Sequence, residues 1–169
     1  MIVAGIDYSL NGPCICVYQG SDDQKFSYKQ CSFYYLTNTK SLAGVFKYRY
    51  HGELFNEFNH ECQRYDSISD WAVDKVLGCD YVGLEGYAYG ASGIAVDVIP
   101  PTKVKKDATG KGNADKRKMV EAFQLDTGVD LQKLITPKRA NIGSPVSDIA
   151  DAFYICKAAT EAYAKIQTR

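Results

Sequence analysis

The sequence predicts an α/β domain in which a mixed central sheet is flanked by helices. Three features support this class: strand-like segments crowd the beginning of the chain, another strand-like segment lies near its middle, and an alanine-rich helical segment lies near its end. The 169 residues suit one hydrophobic core, so we expect a single domain over residues 1–169.

The first three strands are predicted from apolar runs and one turn. Residues 1–7 (MIVAGID) form a short apolar run that ends in a carboxylate, and residues 14–18 (CICVY) form a second run. Asn11-Gly12 between them is a strong signal for a tight turn, so the two strands should pair as a hairpin. Residues 26–36, rich in Tyr, Phe and Ser, should add a third antiparallel strand.

Helical periodicity appears only after a polar and aromatic segment, residues 37–51, that matches no regular pattern. From about Gly52 to Leu77, apolar residues recur at helical spacing, which predicts one or two amphipathic helices ending near Gly78. Trp71 lies on this apolar stripe, where a core position is more frequent than a ligand-binding one.

The second half of the chain should contain further strands and two helices. A strand over residues 79–85 ends in a carboxylate, and the glycine-rich residues 86–93 must form a loop. The remaining predictions are a β-like segment over residues 94–99, a basic loop over 103–113, a helix over 115–123, mostly loop over 127–145, and a strong final helix from Ser147 to about Lys165.

The composition favours a cytoplasmic protein. No apolar run approaches the roughly 20 residues that a bilayer span needs, and the first residues lack the basic flank and long apolar region of a secretory signal. The six cysteines contain no C-x-x-C pair, so buried free thiols in a reducing compartment are favoured over disulfides or a zinc site.

Positive charge is concentrated in one segment, although Lys+Arg and Asp+Glu each total 20 over the whole chain. Between Lys103 and Lys118, seven basic residues stand against two acidic ones. Such a segment can bind phosphates even in a neutral protein, whereas a solvated lysine-rich loop is the usual alternative.

Four acidic residues stand out by their positions on the predicted elements. Asp7 and Glu85 end strands, whereas Asp148 and Asp151 share one face near the start of the final helix. That face is otherwise apolar and should point at the sheet, where an unpaired carboxylate shifts its pKa or attracts a cation. Each acid alone has an ordinary alternative, since a strand-end Asp often serves a turn and Asp148 could cap the helix.

Together the four acids predict a site for hard divalent cations. Oxygen ligands without His or Cys favour Mg²⁺ or Mn²⁺. Two such ions roughly 4 Å apart would activate a water and stabilise the leaving 3′ oxygen of a cleaved phosphodiester.

Motifs around these acids resemble those of RuvC-like Holliday junction resolvases, especially the phage-type members, within the RNase H-like superfamily. GIDYSLNG (residues 5–12) resembles a first-strand motif whose form is close to G-I-D-x-S-x-x-x-G, with the last glycine one position earlier here. VGLEGYAYG (82–90) resembles the motif in which the second acid ends a central strand, and SDIADA (147–152) resembles the final-helix D-x-x-D-A motif. IPPTKVKKDATGKGNADK (99–116) is similar to the basic segment of the family, so the resemblance spans nearly the whole chain.

The resemblance implies an RNase H-like fold and a structure-selective endonuclease that cleaves branched DNA with two Mg²⁺ ions, for which Mn²⁺ can substitute. A metal-activated water would be the nucleophile and would leave 5′-phosphate and 3′-hydroxyl ends. By position, the catalytic and metal-binding acids would be Asp7, Glu85, Asp148 and Asp151, with Asp7 bridging the ions. The implied phosphate contacts are Lys103, Lys105, Lys106, Lys111 and Lys116.

The sequence departs from the family pattern at two places. Relatives carry a long helix, which helps to form their dimer interface, between the glycine-rich loop and the basic segment; here only residues 94–98 stand there. A homodimer is therefore a candidate assembly, but it would lack the family's helix-mediated interface. Tyr87 and Tyr89 occupy offsets unlike the family's aromatic residue, and we hypothesise that one of them stacks on an unpaired base at the branch point. Packing against the sheet edge is the alternative.

Parts of the same pattern occur in proteins with other functions. An RNase H-like nuclease acting on RNA:DNA hybrids or RNA shares the acids, and a non-catalytic protein could bind branched DNA in the same groove. Actin-like and hexokinase-like ATPases begin with a similar hairpin but need a longer, duplicated chain. The SDIADA and KGNADK motifs favour the resolvase branch, and four retained acids disfavour a purely architectural role, because negative charge repels DNA. A phage origin, and hence the host cytoplasm, fits the resemblance.

Overall fold

One mixed sheet of seven strands is covered by helices in the computed structural model, which describes residues 1–21, 24–86 and 96–168 except the side chain of Val96. The elements are β1 (Ile2–Asp7), β2 (Cys14–Gln19), β3 (Cys31–Thr37), β4 (Gly44–Phe46), β5 (Tyr50–Leu54), α1 (Glu61–Val76), β6 (Tyr81–Glu85), β7 (Val96–Ile99), α2 (Pro101–Thr109), α3 (Lys116–Thr127), α4 (Leu131–Ile135) and α5 (Val146–Gln167).

The strand order is β4-β5-β3-β2-β1-β6-β7. β1, β2 and β3 pair in antiparallel fashion, as the Asn11-Gly12 turn predicts, whereas β6 joins β1 in parallel and β7 joins β6 in parallel. The carboxyl ends of β1 and β6 therefore lie at the same edge of the sheet. The predicted mixed α/β architecture is confirmed.

The two faces of the sheet bury different helices because strand side chains alternate. On one face, Ala4 and Ile6 of β1 pack with Ala72 and Val76 of α1. On the other face, Val3 packs into a larger core that includes α3 and α5. Side chains at odd positions of β1 therefore face α5.

α5 lies directly on the sheet because glycine removes two side chains from the contact. A Cβ atom on Gly5 would lie 2.1 Å from the backbone nitrogen of Cys156, and one on Gly83 would lie 2.6 Å from Cβ of Ala159. No side chain separates the helix backbone from β1 at Gly5, so the path of α5 over the sheet is fixed there.

The predicted basic loop over residues 103–113 is wrong for most of its length. Residues Pro101–Thr109 form α2, with Pro101 in the first turn and Gly110 ending the helix at φ 77°. Proline at the start and a left-handed glycine after the end are ordinary helix boundaries. Lys103, Lys105 and Lys106 therefore project from a helix, whereas Lys111 follows its end.

The helix predicted from about Gly52 begins later, at Glu61, where the side chain of His60 accepts a hydrogen bond from the backbone of Gln63. Residues Tyr50–Leu54 instead form β5, which pairs in parallel with β3. Further differences are the additional strand β4, a third strand that begins at Cys31, and the short helix α4 inside the segment predicted as mostly loop.

None of the helices in the described ranges combines the length and the apolar character that a membrane span requires. Most of the glycine-rich loop, with Tyr87 and Tyr89, lies outside the described residues.

Candidate active site

Two of the four predicted acids end neighbouring parallel strands. Asp7 closes β1 and Glu85 closes β6, and the residues just before them, Ile6 and Leu84, are paired in register. Because Ile6 and Leu84 pack on the side of α1, alternation directs Asp7 and Glu85 to the side of α5.

The other two acids lie in the first two turns of α5. Asp148 is 5 % exposed and Asp151 is partly buried. Their spacing of three residues places them on the same side of the helix. Pro145 occupies the cap position of α5, so the alternative in which Asp148 caps this helix is wrong.

The structure brings all four acids close enough for their charges to interact. The pKa of Asp7 is raised to about 8, first by burial and then by the negative charges of Asp148, Asp151 and Glu85, while Lys116 opposes the shift. A carboxylate in this position is therefore protonated near neutral pH unless a cation compensates its charge.

Asp151 shows the same behaviour. Burial raises its pKa to about 7, with further contributions from Glu85 and Asp148, against the opposing charges of Lys116 and Lys105. Burial also raises the pKa of Glu85, and Lys105 opposes that shift. The site thus has more negative charge than its lysines neutralise.

Asp148 leaves one oxygen without a partner. Its Oδ1 accepts a hydrogen bond from Oγ of Ser147 at 2.9 Å and lies 3.9 Å from Nζ of Lys116. Its Oδ2 is buried and has no hydrogen-bond partner in the described part of the chain. A buried carboxylate oxygen without a donor is costly and is compensated when a cation binds.

The donor set fits a hard divalent cation, since all four candidate ligands are carboxylates. Cys14 pairs with Asp7 in the β1–β2 ladder, but burial and the negative charges of Asp148, Asp7 and Asp151 raise the pKa of its thiol well above the usual range. A soft thiolate ligand is thereby disfavoured. Among the residues described, no group of three or more His, Cys, Asp or Glu is arranged to hold a metal ion. The carboxylates would have to turn toward a shared cation.

The predicted phosphate-contacting lysines fall into two groups. Lys105 of α2 and Lys116 of α3 lie near enough to the acids for their positive charges to oppose the rise in the pKa of Asp151. Lys105 also opposes the rise in the pKa of Glu85. Lys103 forms an ion pair with Asp107 one turn further along α2. Lys106 and Lys111 are exposed.

Two residues at the site were missed by sequence reasoning. Ser147 is fully buried and donates to Asp148; its position beside Asp148 in the SDIADA motif was an available signal. Gly12 was interpreted as a turn residue and as the end of the GIDYSLNG motif but not as a residue of the site, yet a Cβ there would lie 2.6 Å from Oδ2 of Asp148. The absence of a side chain at Gly12 makes room for that carboxylate.

The cation-free protein is expected to lose stability as pH rises. Because the folded-state pKa values of Asp7 and Asp151 lie at about 8 and 7, above their ordinary value of 3.8, the folded state binds more protons than the unfolded state. The stabilisation from these groups is complete below pH ~4 and is lost as pH rises through about 7–8.

Thermal denaturation in EDTA between pH 5 and pH 8.5 checks this expectation. About 1 kcal/mol corresponds to about 2–4 °C in a protein of this size. Mg²⁺ should raise the melting temperature more at pH 8.5 than at pH 5, because protons compete with the cation. If the melting temperature depended on pH equally in Asp7→Asn and in the unsubstituted protein, Asp7 would not be a source of the pH dependence.

Comparisons with known proteins identify the fold. No protein-family model and no curated protein matches this sequence. The structure of Thermus thermophilus RuvC aligns with a TM-score of 0.53 at 20 % sequence identity, over 99 % of this chain and 98 % of that chain. The structure of T. thermophilus RuvC in complex with a Holliday junction substrate aligns with a TM-score of 0.54 at 19 % identity, over 99 % and 97 % of the two chains.

A third match is the fowlpox virus resolvase in complex with its substrate Holliday junction DNA, with a TM-score of 0.46 at 14 % identity over 100 % of both chains. The two RuvC alignments span nearly the whole of both chains. They confirm the RNase H-like fold that the motifs around Asp7, Glu85 and Asp148 predict.

Proposed function

We propose that this chain, which has the RNase H-like fold of RuvC, is a divalent-cation-dependent endonuclease that cleaves branched DNA such as Holliday junctions, forks and flaps. The observation that carries the proposal is that four carboxylates from β1, β6 and α5 lie close enough for the charges of three of them to raise the pKa of the fourth, Asp7. Their repulsion, together with Oδ2 of Asp148, which has no hydrogen-bond partner among the described residues, supports a cation site. The structure of T. thermophilus RuvC with its Holliday junction substrate supports the choice of branched DNA.

We assign Asp7, Glu85, Asp148 and Asp151 as ligands of two Mg²⁺ ions, with Mn²⁺ as a substitute. When bound, such ions supply Lewis-acid activation of water and neutralisation of developing charge in phosphodiester hydrolysis. No His or thiolate is needed, because hard oxygen donors suffice for Mg²⁺.

The chain's own residues hold and balance the charges around this site. Ser147 donates to Oδ1 of Asp148 and fixes the orientation of that carboxylate. Nζ of Lys116 lies 3.5 Å from Oγ of Ser147 and 3.9 Å from Oδ1 of Asp148. Lys116 thus carries positive charge toward the acids while 65 % of its side chain stays exposed and available to a DNA phosphate.

Lysines of α2, of α3 and of the segment between them supply the proposed DNA contacts. Lys105 and Lys116 would contact phosphates next to the site of cleavage, and Lys103, Lys106 and Lys111 would contact phosphates further along an arm. Stacking of Tyr87 or Tyr89 on an unpaired base remains part of the proposal. Both residues follow Glu85 closely in the sequence.

We further propose that residues 1–169 form a single nuclease domain that acts in the cytoplasm, or in the host cytoplasm if the gene belongs to a phage. A homodimer is a candidate assembly, and its interface would have to differ from the family's helix-mediated one. Light scattering of the chain with and without a four-way junction distinguishes one from two copies per DNA.

A panel of matched substrates tests the proposed activity. The full chain with Mg²⁺ would be incubated with four-way, three-way, flap, linear duplex and RNA:DNA hybrid substrates of the same sequence. The four-way and three-way forms should be cut faster than the linear duplex. Preference for the hybrid would move the protein to an RNase H activity, and binding without cleavage would indicate an architectural role.

Removing the two lysines nearest the acids should weaken DNA binding in a salt-dependent way. Lys105→Ala and Lys116→Ala each remove about one phosphate contact, so the slope of log K against log salt should fall by about two in the double variant. Junction binding would be measured in Ca²⁺ between 50 and 200 mM salt.

Lys29→Ala provides the matched control, since Lys29 is exposed just before β3, at the end of the sheet opposite Asp7. For Lys29→Ala, the slope of log K against log salt should equal that of the unsubstituted chain. An unchanged slope in the double variant would show that α2 and α3 do not contact the DNA.

A further inference from the structure

The hairpin turn after Asp7 is held by an arginine of α1, the helix on the face of the sheet opposite α5. One terminal nitrogen of Arg64, in α1, donates to the backbone oxygen of Leu10 at 2.5 Å and to Oδ1 of Asn11 at 2.8 Å. Both acceptors lie more than fifty residues away along the chain. The contact therefore joins α1 to the β1–β2 turn through tertiary structure alone.

Arg64 is itself fixed by its surroundings. Its side chain is only 15 % exposed, and its other terminal nitrogen lies 3.6 Å from Oε2 of Glu61. The guanidinium carbon lies 5.6 Å from the ring centroid of Phe55 and 5.3 Å from that of Phe58. An arginine restrained in this way presents its donors in a fixed direction.

The turn that Arg64 holds also packs against the acidic site. The backbone nitrogen of Gly12 donates to Oγ of Ser9 at 3.1 Å, which closes the turn on itself. A Cβ at Gly12 would lie 2.3 Å from Oγ of Ser144 and 2.6 Å from Oδ2 of Asp148. The backbone of the turn thus lies directly beside Oδ2 of Asp148.

We propose that Arg64 is a positioning residue of the nuclease site: by clamping the turn at Leu10 and Asn11, it holds Asp7 and Asp148 in the relative placement that binds the cations. The catalytic consequence rests on the proposed function. The position of the turn and its effect on cation binding can be measured on the protein alone.

Four variants test the clamp. Arg64→Met removes the donors and keeps an apolar stem, Arg64→Lys keeps a cation that can donate, and Asn11→Ala removes one acceptor. Lys75→Met is the control. Lys75 is a partly buried cation of the same helix, but its ion pairs are with Glu53 of β5 at 3.2 Å and with Asp74, and not with the β1–β2 turn. The readouts are hydrogen exchange of the backbone amides in residues 10–14 other than Pro13, the Mg²⁺ concentration that gives half-maximal thermal stabilisation without DNA, and kcat compared with junction Kd.

Arg64→Met should accelerate exchange in residues 10–14 and raise the half-saturating Mg²⁺ concentration by about tenfold. It should lower kcat by at least about tenfold with little change in junction Kd. Arg64→Lys should recover part of each effect. Asn11→Ala should show smaller effects that are not additive with those of Arg64→Met. Lys75→Met should change only the melting temperature.

Exchange and Mg²⁺ dependence within about twofold of the unsubstituted protein in Arg64→Met would overturn the clamp, even if the melting temperature fell, because a purely structural arginine gives that result. Should Arg64→Met fail to fold, Asn11→Ala decides by the same two readouts. Absence of cleavage by the unsubstituted chain would remove the proposed function but not this test, since neither readout uses DNA.

Discussion

Asp7→Asn is expected to lower cleavage of a four-way junction by about a thousandfold or more, which corresponds to ~4 kcal/mol of lost transition-state stabilisation. Asp7 ends β1, and the negative charges of Asp148, Asp151 and Glu85 all contribute to its raised pKa. Asparagine has nearly the same shape but cannot supply an anionic ligand. Junction binding, measured in Ca²⁺, should change by no more than a few-fold.

The same substitution should stabilise the cation-free protein at pH 8, because it removes one of four mutually repelling carboxylates. Asp126→Asn is the matched control, since Asp126 of α3 accepts a hydrogen bond from Tyr154 of α5 at 3.1 Å and is not among the charges that raise the pKa of Asp7. A rate for Asp7→Asn within tenfold of the unsubstituted enzyme would remove Asp7 from the catalytic machinery.

Gly5→Ala is expected to have the largest effect on stability. A Cβ at this position would lie 2.1 Å from the backbone nitrogen and 2.5 Å from Cα of Cys156, and backbone atoms cannot move aside as a flexible side chain can. Overpacking ordinarily costs about 1–3 kcal/mol. We expect the upper end of that range, or a fall in melting temperature of about 6–12 °C.

The added methyl group should push α5 away from β1. Because α5 carries Asp148 and Asp151, this displacement should also disturb the active site. Cleavage by Gly5→Ala should therefore fall at temperatures at which the variant is still folded. Gly143→Ala serves as the control, because a Cβ atom on Gly143 would meet no described atom within 4 Å. Thermal and urea denaturation measure both variants. A melting temperature for Gly5→Ala within about 2 °C of the unsubstituted protein would mean that α5 does not rest on β1.

The placement of the acids followed from local rules. Period-two alternation directs Asp7 and Glu85 to one face of the sheet, and the spacing of Asp148 and Asp151 puts them on one side of a helix. Their convergence did not follow locally, because it requires β6 to lie beside β1. Sequence motifs supplied that adjacency through family resemblance, and the register of Ile6 with Leu84 agrees with it.

The errors came from composition and from short elements. The lysine-rich residues 103–113 were assigned to a loop by composition, although Pro101 and Gly110 mark helix boundaries. Leu54, Phe55 and Phe58 mimic helical spacing, but the partner of Leu54 is Thr37 in the parallel strand β3. A strand as short as β4 gives little periodic signal, and its turn places Lys47 and Tyr48 at positive φ without a glycine.

The contact of Arg64 could not have been predicted from sequence. Its acceptors at Leu10 and Asn11 lie 54 and 53 residues away, and no motif marks an arginine on a helix as the clamp of a distant turn. Such contacts depend on how α1 crosses the sheet, which is set by the packing of Ala72 and Val76 against β1.

Anomalous diffraction from crystals of the full chain soaked in Mn²⁺ tests most directly whether the four carboxylates share cations. We predict Mn²⁺ peaks contacted by Asp7 together with carboxylates of β6 and α5, and their loss in crystals of Asp7→Asn. Ordered side chains at Asp7, Glu85, Asp148 and Asp151 without a peak between them, at a Mn²⁺ concentration that supports cleavage, would contradict the metal site and the nuclease mechanism proposed from it.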